Sequence, residues 1–259
     1  MPKDRGIDKV DLYFGDFTKL IAARIKKEGK VRILDAGCGY GVAMMGFVKR
    51  FGEKVEIVGF NYSKNDGTTE IMKKQAVKKG IFTKEEIRTM KNMPQIDYCD
   101  ASKRLPYPDN SFDFIYSMAS IYLYDKKVEF LQECNRILKK NGIARISPSF
   151  GIHNDQTYGK VKHIPEEYWE FWRIWNKGKE VKMWDYCKKI KGIKAVWKNR
   201  GENCWDKVCY IEIRKQKKLD FKLKFISAVD LNFIWKRWGG VKSIYTTQLK
   251  FKPKYKELR

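Results

Sequence analysis

The sequence predicts an α/β fold built on a mainly parallel sheet, and three observations predict it. The first is a strand–turn–helix unit at residues 31–52. Val-Arg-Ile-Leu is a short, largely apolar run of the kind buried in parallel sheets. Asp35 follows, and glycines at 37, 39 and 41 lead into Val42, Ala43, Met44, Phe47 and Val48 at helical spacing. The second is residues 55–61, Val-Glu-Ile-Val-Gly-Phe-Asn, a strand that ends about twenty residues past the glycine turn, as in nucleotide-binding folds. The third is the order of what comes next: a strand at 112–116, a helix at 126–138 and a strand at 143–147, the alternation that generates parallel sheets.

Residues 1–30 read as a helical lead-in. Phe17, Leu20, Ile21 and Ile25 recur at helical spacing and Gly29 stands where a C-cap glycine belongs, so a helix packed beside the first strand is expected. Tyr13 and Phe14 either join that packing or lie over a bound ligand. In the turn, glycine supplies positive φ and removes the Cβ that would block a ligand lying on the backbone. The amides opening the next helix are expected to point outward as donors. Ile71, Met72, Gln75 and Ala76 continue a helical pattern, and Thr83-Lys84-Glu85-Glu86 matches a capping box. Asn141-Gly142 suits a turn needing left-handed residues. A helix is expected from Ile164-Pro165 onward, striped by Tyr168, Trp169, Trp172 and Trp175; the stripe is either a buried face or an apolar wall over a ligand crevice. Residues 193–198 and 208–214 read as two strands joined by a turn.

The glycine spacing, G-x-G-x-G with an acid two residues before the first glycine, resembles motif I of the class I S-adenosylmethionine-dependent methyltransferases. Further on, Asp97-Tyr98-Cys99-Asp100-Ala101 and Leu105-Pro106-Tyr107-Pro108-Asp109-Asn110-Ser111-Phe112-Asp113 resemble the signature of the type 11 members of that class. The resemblance covers residues 31–147. It implies a Rossmann-like, seven-stranded, mostly parallel sheet with helices on both faces and a C-terminal antiparallel hairpin. It divides the chain into a lead-in (1–30), a cofactor-binding domain (31–214) and a basic, aromatic extension (215–259). The cofactor it implies is S-adenosylmethionine, held by Asp35, Gly37, Cys38, Gly39, Gly41, Asn61, Asp100, Ala101 and Ser117. Asp100 and Ala101 would close the adenine pocket, the carboxylate accepting from the exocyclic amine. Two departures stand out. Asn61 replaces the acid that commonly holds the ribose, keeping an acceptor and two donors without charge; a G-x-N ending resembles that of members acting on sterol-like small molecules. Tyr122 and Leu123 replace a common His-His pair.

The chain has 259 residues and a formal net charge of +24. Residues 1–150 hold 28 basic and 19 acidic side chains and residues 151–259 hold 27 and 12, so the excess leans toward the C-terminal part. Such a field draws RNA or an anionic membrane surface; alternatively it reflects a lysine-rich composition, because 42 of the cations are Lys and 13 are Arg. Trp235-Lys236-Arg237-Trp238 suits base stacking, a lipid interface or an amphipathic element with snorkelling lysines. Scattered cysteines with no C-x-x-C pair read as reduced thiols, no metal site is expected, and no apolar run has the length of a membrane span. The expected location is cytoplasmic.

Methyl transfer from a sulfonium needs alignment more than activation. The sequence lacks the N-P-P-Y-type loop and the Pro-Cys nucleophile of DNA-modifying members. It therefore points to O-, N- or C-methylation of a small-molecule or lipid-like acceptor, with RNA methylation and a non-catalytic binding module as alternatives. His153 is the candidate base, and Tyr122 or Tyr124 is the candidate for orienting the acceptor.

Overall fold

The computed structural model describes residues 4–118, 120–121, 124, 126–147, 173–176, 179–182, 187–199 and 207–221, the segments 173–176, 179–182, 197–199 and 207–209 as backbone only. In chain order the elements are α1 (Ile7–Phe14), α2 (Phe17–Glu28), β1 (Val31–Ala36), α3 (Val42–Phe51), β2 (Val55–Asn61), α4 (Thr69–Lys78), α5 (Lys84–Thr89), β3 (Gln95–Tyr98) and β4 (Phe112–Met118). They continue with α6 (Lys127–Ile137), β5 (Leu138–Ser147), β6 (Arg173–Asn176), β7 (Lys179–Lys182), β8 (Ile193–Asn199) and β9 (Lys207–Arg214).

Seven strands form one sheet in the order β3-β2-β1-β4-β5-β9-β8. The pairs β1–β2, β1–β4, β2–β3 and β4–β5 are parallel, and β5–β9 and β8–β9 are antiparallel. The expected hairpin therefore closes the sheet. All parallel strands deliver their C-terminal ends to one edge, and the chain reverses its direction of travel between β1 and β4. In open α/β sheets that switch point opens the crevice where ligands bind.

The period-2 alternation of the strands sorts the core into two layers. Val31, Ile33, Phe114 and Tyr116 face a cluster shared with α1, α2, α3 and α4, whereas Leu34, Ala36 and Ile115 face a cluster shared with α6, which Phe112 joins because the register shifts between it and Phe114. Helices thus cover both faces. The lead-in is integral to the first layer: Val10, Tyr13, Phe14, Phe17, Ile21 and Ile25 are buried in it. Phe14 packs edge-on against Tyr116 and Tyr210, and Phe17 against Phe114. Tyr13 and Phe14 are core residues, which decides between the two readings of that pair. A buried Arg145 locks α1 to the sheet. Its guanidinium donates to the Phe14 carbonyl (2.6 Å), pairs with Glu212 on β9 (2.7 Å) and lies over the Tyr210 ring.

Local signals held where the backbone decides them. Thr83 and Glu86 form the expected capping box on α5, and Asn141 takes a φ of 65°. One expectation failed. Arg173–Asn176 is a strand paired antiparallel with Lys179–Lys182 in a separate two-stranded sheet, so the helical stripe does not extend through Trp175. Asn176 is paired with Lys179, and the β-branched and aromatic residues Ile174 and Trp175 are types that strands favour. Tyr168, Trp169 and Trp172 lie outside the described residues, as do the appendage beyond 221, Tyr122 and His153.

Candidate active site

The glycine turn sits at the C-terminal end of β1, at the switch point. Gly37, Gly39 and Gly41 all have positive φ (79°, 55° and 69°), a run that side-chain-bearing residues resist. The amides inside the turn are engaged within the protein. Gly37 and Cys38 both donate to the Phe60 carbonyl (3.0 and 3.1 Å), Gly39 donates to Asn61 Oδ1 (2.9 Å) and Gly41 donates to the Cys38 carbonyl (3.0 Å). The turn contributes shape, and the donors left for a ligand are those of the first turn of α3.

Asp35, one register step from the end of β1, is 2% exposed and is paired in the sheet with Tyr116 of β4. The Tyr116 hydroxyl donates to its Oδ2 at 2.6 Å. Desolvation outweighs this bond and pushes the Asp35 carboxyl up to about 7. Cys38 is also buried, its thiol raised well above the ordinary range by desolvation and then by the nearby Asp35 carboxylate.

At the end of β2, Asn61 is 3% exposed, and its side chain is committed to the turn: Oδ1 accepts from Gly39 and Nδ2 donates to the Gly39 carbonyl at 2.8 Å. The chain leaving β3 runs alongside, since the Cys99 amide donates to the Asn61 carbonyl (3.0 Å). This brings Asp100 and Ala101 to the same edge as the turn. Asp100 is partly exposed and its Oδ1 accepts from the Ser102 amide (2.8 Å), while Ala101 is buried. Beyond β4, Ser117 is fully buried and shares a hydrogen bond with Ser120. Ser120 also donates to the Ala36 carbonyl (2.8 Å) and meets the Tyr124 hydroxyl (2.9 Å). A Cβ placed on Gly37 would fall 2.4 Å from that of Ser120 and 3.1 Å from the Tyr124 oxygen, so this hydroxyl cluster rests directly on the first glycine.

Asp35, Gly37, Cys38, Gly39, Gly41, Asn61, Asp100, Ala101 and Ser117 are therefore gathered at one sheet edge. Tyr116, Ser120 and Tyr98 join them without having been read from the sequence. The signal of Tyr116 and Tyr98 lies in register, opposite Asp35 and Asn61, which only the paired strands reveal.

The signature segment has a different role. Arg136 of α6 donates to the carbonyls of Leu105 (3.1 Å) and Tyr107 (2.9 Å) and pairs with Asp109 (2.6 Å), while Glu133 accepts from the Leu105 amide (2.9 Å). Asn110 takes a left-handed φ of 54°. Asp113 accepts from the Arg32 amide (2.7 Å) and Lys139 (2.8 Å), so it is structural. The motif is a clasp that fixes the chain between Asp100 and β4.

Residues 34–146 match the methyltransferase-domain family. The similarity to S-adenosylmethionine-dependent methyltransferases lies in this segment. A glycine/sarcosine/dimethylglycine N-methyltransferase of Actinopolyspora halophila is 27% identical to the chain over 123 residues, 47% of this chain and 19% of that protein. Among solved structures, one from Galdieria sulphuraria, named as a sarcosine dimethylglycine methyltransferase, is 26% identical over 49% of this chain and 44% of its own, with a TM-score of 0.37. A methyltransferase from Methanococcus maripaludis is 18% identical over 83% of this chain and 93% of its own, with a TM-score of 0.49. The chain thus spans about a fifth of the curated relative it matches. The gathered residues suit S-adenosylmethionine on this structure's own terms, with three glycines in the turn, a buried acid beside it and a second acid just past the end of β3.

Proposed function

We propose that the chain transfers a methyl group from S-adenosylmethionine to an O, N or C atom of a small-molecule acceptor. The observation that carries this reading is the convergence of Asp35, the glycine turn and the Asp100–Ala101 pair on one edge of the sheet at its switch point. When bound, the cofactor supplies an electrophilic sulfonium methyl for in-line transfer. The chain's own residues do the rest. The glycine turn admits the ligand against the backbone, and the buried Asp35 carboxylate balances its positive charge. The partly exposed Asp100 carboxylate retains acceptor capacity for an exocyclic amine. Ser117, Ser120 and Tyr124 form a hydroxyl floor against Gly37, restricting the room for water where the acceptor must align.

An amine acceptor is the first class to try, because the Actinopolyspora relative is named for glycine, sarcosine and dimethylglycine. The test is to incubate the full chain with methyl-labelled cofactor and these three amines, then with fractionated small molecules and total RNA from cell extract. Label in a small-molecule fraction is the expected result. Label in RNA alone, or no calorimetric binding of S-adenosylmethionine, overturns the proposal.

A further inference from the structure

We propose that Asn61 is a positioning residue that holds the glycine turn in its ligand-binding shape and is not the ribose ligand its place in the chain suggests. The inference rests on the cofactor reading above, and it comes from counting the amide's bonds. Oδ1 accepts from the Gly39 N–H (2.9 Å) and Nδ2 donates to the Gly39 carbonyl (2.8 Å), so the side chain closes a two-bond ring with one residue, as a neighbouring strand would. The second Nδ2 proton points to the Gly67 carbonyl at 3.4 Å. Both donors of the amide are thereby directed at backbone.

The surroundings reinforce the same residue. A Cβ on Gly67 would lie 2.0 Å from the Gly39 carbonyl oxygen, so the segment after β2 crosses Gly39 at a distance only glycine permits. The Gly67 carbonyl is fixed from the far side by the Tyr98 hydroxyl at 3.2 Å. Gly39, with its φ of 55°, is thus clasped between Asn61 and Gly67. An aspartate at position 61 would keep the bond from the Gly39 N–H. Its second oxygen, however, would face the Gly39 carbonyl at the distance where Nδ2 now donates, and two acceptors repel there. The residue that most nucleotide-binding sheets carry at this place is therefore the wrong one for this turn.

The test compares wild type with Asn61→Asp and Asn61→Ala. Calorimetry measures S-adenosylhomocysteine and its 2′-deoxy analogue, and amide hydrogen exchange is followed at Gly39. Thermal melts report the fold. Asn61→Asp is expected to weaken S-adenosylhomocysteine at least tenfold and to speed Gly39 exchange at least tenfold, with the β1 amides unchanged. The affinity ratio between the two ligands is expected to stay within twofold of wild type in both variants. Retained affinity in Asn61→Asp, a ratio collapsing toward one in Asn61→Ala, or unchanged Gly39 exchange would each overturn the assignment. So would a lowered melting temperature with unaltered ligand affinity, which marks a merely structural bond. Failure of wild type to bind the ligand refutes the cofactor reading instead, and the exchange measurement still decides the role of Asn61.

Discussion

Asp35 offers the sharpest test, because its burial makes opposite demands on stability and on binding. Its carboxyl titrates near 7 in the fold against 3.8 when unperturbed, so between those values the unfolded chain sheds a proton that the folded chain keeps. The contribution of Asp35 to folding stability therefore falls as pH rises from about 4 to about 7, by about 1.4 kcal/mol per pH unit and about 4 kcal/mol in all, and is level above that window. Asn at this position cannot ionise, but it can still accept from the Tyr116 hydroxyl. Asp35→Asn should then gain stability relative to wild type across this window, reaching about 4 kcal/mol at pH 8 as an upper figure. A cationic cofactor favours the ionised form, so its affinity for wild type should rise as pH climbs toward 7, with a proton released on binding below that value. Asp35→Asn should bind weakly at every pH. Urea unfolding of both proteins at half-unit steps from pH 4 to 8 gives the difference curve. Calorimetry in buffers of different ionisation enthalpy gives the proton count. A flat difference curve, or binding without proton release at pH 6, would refute the reasoning.

Arg145→Ala leaves Glu212 buried without its closest partner and should cost about 3–5 kcal/mol in urea unfolding, and a loss under 1 kcal/mol would show that α1 is held by its aromatic packing alone. Arg136→Ala opens the clasp on the signature segment and should cost about 2 kcal/mol; hydrogen exchange at the Leu105 amide, bonded to Glu133 beside it, should quicken, and an unchanged rate would reject the clasp. Gly67→Ala should abolish measurable cofactor binding while the melt remains cooperative, since the added carbon meets the Gly39 carbonyl; wild-type affinity would contradict this geometry. Burial raises the thiols of Cys38, Cys134 and Cys187, so peptide-resolved maleimide labelling at pH 8 should find these three protected until urea is added.

The fold was legible because its signals are local. The strand–glycine–helix unit, the capping box at Thr83 and the Asn141 turn each depend on residues a few positions apart. The gathering of the site was legible through the motif resemblance. What Asn61 does was not, because a side-chain amide at a strand end reads alike whether it faces a ribose or Gly39; only the three-dimensional crossing of residues 61–67 over the turn distinguishes them. Tyr116 escaped notice for a similar reason: an aromatic inside a strand reads as packing until register sets it opposite Asp35. The aromatic stripe misled at Trp175 because local spacing carries no sign of the pairing with Lys179–Lys182 that makes this segment a strand.

The family match stops at residue 146, one residue before β5 ends at Ser147, and Cys187 is again fully buried in the layer that α6 covers. Because β5 runs parallel to β4, Ser147 delivers the chain to the very rim where the glycine turn lies. Six residues on from it stands His153, a tether of at most about 20 Å. Between these two anchors, Ser147 and Cys187, the described residues contribute only β6 and β7, which pair with each other, so every strand of the seven-stranded sheet is drawn from outside this stretch.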